Sequence, residues 1–345
     1  MNKYKKFNIL FISISFILVI SLITVNYVID PYQQYRKTNF YLFNTENPRY
    51  LNAGLVKNYD YDSLIIGSSM MANFNVSDVE KILLFDKAIK PLTFGGFISE
   101  EVDTINTALA SKNVKNILFG LDIYSFSKYN ISSKNNKRFP LYLYDNSLLN
   151  DFTYLLSLKI LKKSFNILSN DFNESKVTNQ LNELYDWQKE YNAFFTGKEV
   201  VENYENFLKS DRNLLPIYNL DILKSNFDNI LLPVIKSNKK INFIFFFPPY
   251  SIYEYKLMDK EGYLLNNIKF KNFVMNRLKK FKHVSLFDFQ VANEITMNKF
   301  NYKDTTHYHK RINYWILEQI RDNKFKKVQS NVQDLDFIND VRLFQ

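Results

Sequence analysis

Two short polar stretches, far apart in the chain, carry the side chains best suited to acyl chemistry. The first is Gly67-Ser68-Ser69, which directly follows the apolar run 64–66. Such a run, closed by a glycine, is typical of a strand buried in a parallel sheet, and the turn after it lies at the carboxyl end of that sheet. Serine and glycine also cap helices, so this stretch alone favours a capping role over a nucleophile.

The second stretch is Asp304-x-x-His307, just before a predicted final helix at 310–322. This spacing lets Asp304 hold one imidazole nitrogen of His307 while the other nitrogen takes a proton. The alternative is a helix cap at Asp304 and a surface imidazole. Of the two other histidines, His283 opens a predicted strand away from its carboxyl end and His309 would point elsewhere on the helix, so His307 is the candidate general base.

Together the two stretches resemble the first and last sequence blocks of the SGNH (GDSL-type) hydrolases. The resemblance is closer to their membrane-anchored bacterial branch, which includes the D-alanine-transfer protein of teichoic-acid modification and the alginate O-acetyltransferases. It covers about residues 60–320 and implies that Ser69 is the nucleophile, with His307 and Asp304 completing a Ser-His-Asp set. It also implies a flavodoxin-like α/β/α domain of three layers.

The two middle blocks of the resemblance indicate how a developing oxyanion would be held. Gly95 and Gly96 both stand where the family places a backbone N–H donor, and Asp122 stands where the family has a donating Asn. An ionised Asp122 cannot donate, so it is protonated, orients another group, or the oxyanion hole is built differently. Tyr250 follows two prolines at the expected border of the pocket, where it either contacts substrate or belongs to a rigid loop.

Strands and helices alternate along the chain in a way that would gather these residues at one edge. Three predicted strands in succession end in small or polar residues, which favours a doubly wound sheet. Asp288 ends the last strand near the site, with capping as the alternative. The predicted strands are 64–66, 90–94, 116–121, 241–247 and 284–288, and the predicted helices are 76–84, 99–110, 220–237, 261–281 and 310–322.

The amino terminus predicts a membrane anchor. Residues 7–29 carry no charge and as a helix would span about 34 Å, enough to cross a bilayer. Lys3, Lys5 and Lys6 precede this run, which places the amino terminus in the cytoplasm and the rest outside. A cleavable signal peptide is the alternative, but no small-x-small cleavage site follows. We therefore expect a cytoplasmic tail at 1–6 and a juxtamembrane connector at 30–61.

The α/β domain is expected at 62–325, with a tail at 326–345. A mainly helical insertion at about 124–217 would form a cap or substrate platform over the sheet edge. Its aromatic side chains could stack on sugar rings, although packing between helices is the more common role. These aromatic residues are Tyr185, Trp187, Tyr191, Phe194 and Phe195.

Composition and net charge limit the classes of molecule that we expect the chain to bind. The net charge of +10 is scattered along the chain, and the absence of cysteine excludes thiol chemistry and disulfides. An outward-facing basic domain favours anionic lipids or an acidic glycan over nucleic acid. No cofactor or metal is expected, since no cluster has ligand spacing.

The sequence therefore predicts a membrane-anchored extracytoplasmic serine esterase or O-acyltransferase. Its substrate would be acyl, above all acetyl, groups on a surface polysaccharide or wall polymer. A membrane-bound acyltransferase that supplies acyl groups is a candidate partner. A non-catalytic scaffold in glycan assembly and a lipid esterase are the alternative functions.

Overall fold

The protein is built around a five-stranded parallel sheet. The computed structural model describes residues 3–38, 41–127, 136–170, 180–188, 194–210, 212–327 and 341. Within them the strands lie in the order β2-β1-β3-β4-β5, which is the order of flavodoxin-like sheets. The predicted α/β class with a parallel sheet is confirmed. The strands are β1 (Ser63–Gly67), β2 (Ala88–Ile89), β3 (Asn116–Gly120), β4 (Asn242–Phe247) and β5 (Val284–Asp288).

Helices cover both faces of the sheet. The chain moves from β1 to β2 in one direction and back past β1 to β3, so right-handed crossovers put the two connecting helices on opposite faces. The helices are α1 (Lys3–Ile29), α2 (Pro48–Asn58), α3 (Val76–Leu83), α4 (Ile98–Ser111), α5 (Phe152–Leu155), α6 (Leu158–Asn170), α7 (Lys198–Leu208), α8 (Leu220–Asn226), α9 (Leu232–Ser237), α10 (Ile252–Lys260), α11 (Leu264–Leu278), α12 (Asn293–Thr296) and α13 (Lys310–Arg321). A π turn at Phe227–Leu231 joins α8 to α9.

Contacts between helices follow these two layers. On one face α3 packs against α13, the helix that follows the Asp304 stretch. On the other face α4 packs against α2 and the π turn, and α8 packs against α11. Every residue of β1 is buried, as are Phe243, Phe245 and Phe246 of β4. A strand covered on both faces needs continuous apolar sequence, which explains why these runs do not alternate.

Helix α1 has 27 residues, and its side chains are largely exposed. Its mean hydropathy reaches 2.5 over an 18-residue window, which makes it long and apolar enough to cross a membrane. Near its end, Asn26 is fully buried against the domain. The chain then turns at Asp30, which takes a positive φ of 47°.

Some predicted boundaries were wrong. The second strand is Ala88–Ile89 instead of 90–94, because Lys90 turns into the interior and Pro91 has no N–H to pair. The connector contains α2, which begins at Pro48, and α10 was not predicted at all. Residues 326–327 pair with β5, while most of the predicted tail lies outside the described residues.

The turn after β1 depends on two glycines. Gly67 pairs in register with Gly120 of β3, and Met71 fills the space that their missing side chains leave. A Cβ atom on Gly67 would lie 2.7 Å from Met71 Cγ and 3.0 Å from the Gly120 carbonyl oxygen. Gly67 also has a φ of 140°, a conformation that is essentially restricted to glycine.

We therefore predict that Gly67→Ala destabilises the protein by about 3 kcal/mol, from backbone strain together with overpacking. Denaturant unfolding of the full chain in detergent, followed by tryptophan fluorescence, measures the change. Gly262→Ala is the matched control: its φ is 85° but its nearest neighbour would be 3.6 Å away, so it should cost only about 1–2 kcal/mol. Equal losses in the two variants would contradict the packing argument.

Candidate active site

The structure brings Ser69, His307 and Asp304 into one hydrogen-bonded chain. Ser69 Oγ lies 2.8 Å from His307 Nε2. On the other side of the ring, His307 Nδ1 lies 2.9 Å from Asp304 Oδ2 and 3.0 Å from Asp304 Oδ1. Ser69 begins a short 3-10 turn after β1, and the other two residues precede α13. A hydroxyl, an imidazole and a carboxylate in this order form a general-base arrangement.

The Asp304 carboxylate determines which nitrogen of the His307 ring carries the proton. An ionised carboxylate only accepts hydrogen bonds, so His307 Nδ1 carries the proton and Nε2 is free to accept from Ser69. Burial tends to raise the pKa of Asp304, but hydrogen bonds from the His307 ring and from the backbone N–H groups of Thr306 and His307 hold it well below its usual value. Asp304 is therefore ionised across the physiological range.

The neighbouring serine has a different partner. Ser68 Oγ donates to Asp122 Oδ2 at 2.8 Å, while Asp122 Oδ1 accepts from Tyr250 Oη at 2.7 Å and from the Tyr124 N–H at 3.1 Å. Burial and the adjacent carboxylate raise the pKa of Tyr250 well above its ordinary value, so its phenol stays protonated. Asp122 thus serves as an acceptor that orients Ser68 and Tyr250, which is one of the alternatives left by the sequence.

Of the two candidate glycines, the geometry favours Gly95. The Gly96 N–H donates to the Thr93 carbonyl at 2.9 Å and closes a turn. Gly95 lines the cavity beside Ser69, and a side chain there would meet nothing within 4 Å. Among the described residues, the backbone N–H groups of Gly95 and Ser69 have no hydrogen-bond acceptor. They are the candidate donors to an oxyanion.

The loop that carries His307 is held by hydrogen bonds to the segment after β4 and to the turn after β1. The Thr305 carbonyl accepts from both the N–H and the hydroxyl of Ser251, at 3.1 and 2.7 Å. Tyr302 Oη donates to the Pro249 carbonyl, and Tyr308 Oη donates to the Met70 carbonyl at 3.2 Å. Tyr308 therefore ties the imidazole loop directly to the turn that carries Ser69.

A buried lysine binds the backbone just after the 3-10 turn that carries Ser69. Lys90 is 1% exposed, and its ammonium donates to the carbonyls of Ala72 and Phe74 at 2.5 and 2.6 Å. Burial lowers the pKa of Lys90 to about 7. These two carbonyls follow the 3-10 turn and would be unpaired without the lysine, so Lys90 positions the backbone behind Ser69.

Ser69 and His307 open into a cavity of about 230 Å³. Its wall combines aromatic and apolar side chains with two carboxyl groups and, among the described residues, holds no lysine or arginine. Trp187 packs edge-on against the His307 ring, with centroids 5.6 Å apart. The principal wall residues are Ile123, Tyr124, Tyr218, Tyr250, Glu254, Met258 and Tyr263.

Glu254 is a cavity residue that the sequence analysis missed. It is the third residue after Ser251 in an S-x-x-E pattern, which signals a helix start and could have revealed α10. The Ser251 N–H is already used by Thr305, so the Glu254 carboxyl does not close a capping box. It accepts instead from Thr305 Oγ1 at 2.5 Å and faces the cavity. Burial, with smaller contributions from Glu261, Asp304 and Asp122, raises the pKa of Glu254 to about 7.

Other candidates lie elsewhere. Asp288 is buried between the ammonium groups of Lys271 and Lys327, at 3.0 and 2.9 Å, and caps the turn after β5. It does not line the cavity. His283 contacts the Ile235 carbonyl, and His309 caps α13.

The predicted cap over the sheet edge is only partly described. Residues 128–135, 171–179, 189–193 and 211, and with them Tyr191, lie outside the described residues. Tyr185 is buried and bonded to Asn52, Phe195 packs on His309, and Phe194 is partly exposed. Packing accounts for Tyr185 and Phe195, while Trp187 is the insertion aromatic that reaches the imidazole. In the described part of the chain, no group of three or more acidic or histidine side chains could hold a metal ion.

Comparison with known proteins adds little. No family model and no curated protein matches the chain. One solved structure from Streptococcus pneumonia, assigned provisionally as a platelet activating factor, aligns with 81% of this chain and 91% of its own, at 11% identity and a TM-score of 0.39. A likeness of this degree supports no conclusion about activity, which rests on the site's own geometry.

The raised pKa of Glu254 predicts a pH dependence of stability. Between about pH 4.5, where the unfolded carboxyl loses its proton, and pH 7, the folded state alone keeps that proton. Stability should therefore fall as pH rises through this window and level off above it, by at most about 3 kcal/mol.

Glu254→Gln keeps the shape and removes the titration. Unfolding free energies of the full chain at pH 4.5 and 7.5 should fall less in this variant than in the wild type. The difference between the two proteins isolates Glu254 from other groups that titrate in the same range. An identical fall in both would show that Glu254 is ionised in the folded protein throughout.

Proposed function

We propose that this chain is a membrane-anchored serine esterase or O-acyltransferase. The proposed substrate is a short acyl group, above all acetyl, on a hydroxyl of a surface polysaccharide or wall polymer. The observation that carries the proposal is the Ser69–His307–Asp304 chain of hydrogen bonds at the mouth of a cavity. Such a set serves acyl transfer because a serine hydroxyl is a weak nucleophile until the imidazole takes its proton. The carboxylate in turn orients the imidazole and stabilises its charged form.

In the first half of the reaction, His307 Nε2 takes the proton of Ser69 as Oγ attacks the acyl carbonyl carbon. Asp304 keeps the ring oriented and stabilises the imidazolium that forms. As the tetrahedral intermediate collapses, the bond to the alcohol oxygen breaks and His307 returns the proton to that oxygen. The products are a free hydroxyl and an acyl group carried on Ser69.

The oxyanion of the tetrahedral intermediate needs donors. The proposed donors are the N–H groups of Ser69 and Gly95, residues that both line the cavity and whose N–H groups are unpaired among the described residues. A single donor of this kind is commonly worth about 3–4 kcal/mol. Asp122 accepts from Ser68 and Tyr250 and is not a donor in this proposal, so the two backbone N–H groups take the role that the family gives to an Asn.

In the second half, an acceptor hydroxyl gives its proton to His307 and attacks the acyl carbon. Ser69 leaves with the proton returned from the imidazole. If the acceptor is water, the product is a free acid, and if it is a second carbohydrate hydroxyl, the product is a new ester. Both outcomes use the same residues, and the acceptor that fills the cavity decides between them.

Location and cavity size narrow the substrate. Helix α1 would hold the domain at a membrane, and the lysines before it favour a cytoplasmic amino terminus with the site outside. A cavity of about 230 Å³ is smaller than the roughly 300–1,000 Å³ of typical drug-sized sites. It therefore suits a short acyl group better than a fatty acyl chain.

Removal of the nucleophile should abolish esterase activity. We predict that Ser69→Ala in the full chain lowers kcat on an aryl acetate by a factor of about 10³ or more, and that Asp304→Asn has an effect of similar size because the ring loses its orienting acceptor. Ester hydrolysis by purified protein in detergent gives the measurement.

The adjacent serine provides the matched control. Ser68→Ala removes the hydrogen bond to Asp122 and the one that Ser68 Oγ accepts from the Met70 N–H, but it removes no atom of the Ser69–His307 pair. It should therefore retain far more activity than Ser69→Ala. Equal rates in wild type and Ser69→Ala would end the esterase proposal and favour a non-catalytic scaffold that binds glycan.

Acyl length provides a separate test. We predict that kcat/KM falls steeply from acetyl to octanoyl aryl esters, because the longer chain exceeds the cavity. Replacing Met258 in the cavity wall by alanine should relax this preference without touching Ser69, His307 or Asp304. A rise in kcat/KM with chain length in the wild type would favour a lipid esterase instead.

A further inference from the structure

Large apolar side chains lie exposed on the helices that touch the end of α1. They belong to the segment 148–168, which contains a short 3-10 turn followed by α5 and α6. Their exposed fractions run from 42% to 91%, unusually high for leucine and phenylalanine in a folded domain. We call them the apolar patch: Leu148, Leu149, Phe152, Leu158, Phe165 and Leu168.

Helix α6 has three faces: one buried, one exposed and apolar, and one exposed and basic. Ile160, Ser164 and Ile167 are buried, and the Ser164 hydroxyl donates to Asn26 Oδ1 of α1 at 3.4 Å. Leu158, Phe165 and Leu168 recur at helical spacing on a second, exposed face. Lys159 and Lys162 are exposed on the third. A helix with exposed apolar and basic faces side by side is typical of a membrane surface.

The patch is fixed relative to α1. The buried Asn26 donates through Nδ2 to the carbonyls of Leu155 at 2.8 Å and Ser157 at 3.1 Å, which join α5 to α6. Arg36 donates to the carbonyls of Tyr27 and Val28 at the last turn of α1. These bonds join the segment to the end of α1, so α1 sets the height of the patch relative to any bilayer that it crosses.

In a bilayer that α1 crosses, the apolar patch would lie at the level of the lipid head groups. With 27 residues, α1 is about 40 Å long, whereas the hydrocarbon core is about 30 Å thick. A helix whose amino-terminal lysines stay in water therefore brings its last turns to the opposite interface, with Asn26 at that level. The segment bonded to Asn26 must lie at the same level.

We propose that the apolar patch inserts into the interface of the bilayer that α1 crosses, with Lys159 and Lys162 against anionic head groups. The domain then touches the membrane at two places, and the second contact fixes its tilt. Continuity with α1 and the adjacent lysines favour a lipid surface over a partner protein. This inference does not depend on the proposed catalytic function.

The chain has no cysteine, so single cysteines can be introduced for labelling. Phe152→Cys, Leu158→Cys and Phe165→Cys in the full chain would carry an environment-sensitive fluorophore in vesicles of phosphatidylcholine and phosphatidylglycerol. Leu84→Cys and Leu265→Cys are the controls, because these leucines are 85% and 51% exposed but lie outside the patch.

We expect labels in the patch to be several-fold less accessible to aqueous iodide than the control labels, and to be quenched by spin-labelled lipid. Thermal unfolding of each labelled protein checks that the fold is intact, and three patch positions guard against failure of one. Iodide quenching equal to that of the controls would overturn the proposal. Protection that requires native membrane proteins and is absent in pure lipid vesicles would overturn it as well, in favour of a protein partner.

Discussion

The site depends on how the loop before α13 is held, because that loop has no regular secondary structure of its own. Thr305 supplies the fastening: its carbonyl accepts two hydrogen bonds from Ser251, and its hydroxyl donates to Glu254. Tyr308 then reaches across to the Met70 carbonyl. Backbone groups satisfied in this way cost little to bury, whereas the same groups left unpaired would each cost about 1–3 kcal/mol. These bonds place the loop, and the Asp304 carboxylate then orients the imidazole toward Ser69.

The two serines of the turn after β1 differ in role because their hydroxyl groups bond to different side chains. Ser68 points to Asp122, and Ser69 points to His307. Asp122 also accepts a hydrogen bond from the Tyr250 phenol, so a single carboxylate orients two elements of the cavity wall. A donating Asn at this position could not accept on both atoms, which explains how Asp122 suits this particular wall. Asp122 therefore positions two neighbouring side chains.

The sequence was informative where one local pattern decides the structure. The apolar runs of β1, β4 and β5, the glycine turn and the Asp-x-x-His spacing all depend on near neighbours, and the parallel sheet follows from their alternation. The sequence did not predict the features that depend on contacts between residues far apart in the chain. Lys90 was predicted as the first residue of a strand, and its buried role follows only from the distant carbonyls of Ala72 and Phe74. Glu254 was not predicted, and its carboxyl bonds the Thr305 hydroxyl in place of the backbone N–H that its helix-start pattern implies. Trp187 reaches His307 through an insertion whose path no local pattern fixes.

The electrostatics of the cavity impose a requirement on any chemistry there. The chain as a whole has a charge of +10, yet Asp304 is ionised beside His307 and the described cavity wall holds carboxyl groups and no lysine or arginine. Lys303 Nζ, 3.7 Å from Asp304 Oδ2, offsets part of this negative charge. Negative charge near the ring favours the imidazolium that forms when Ser69 loses its proton. The same charge opposes an oxyanion a few ångströms away. Partial protonation of Glu254 near neutral pH reduces this opposition. What remains has to be offset by N–H groups directed at the oxyanion, which in the proposed reaction are those of Ser69 and Gly95.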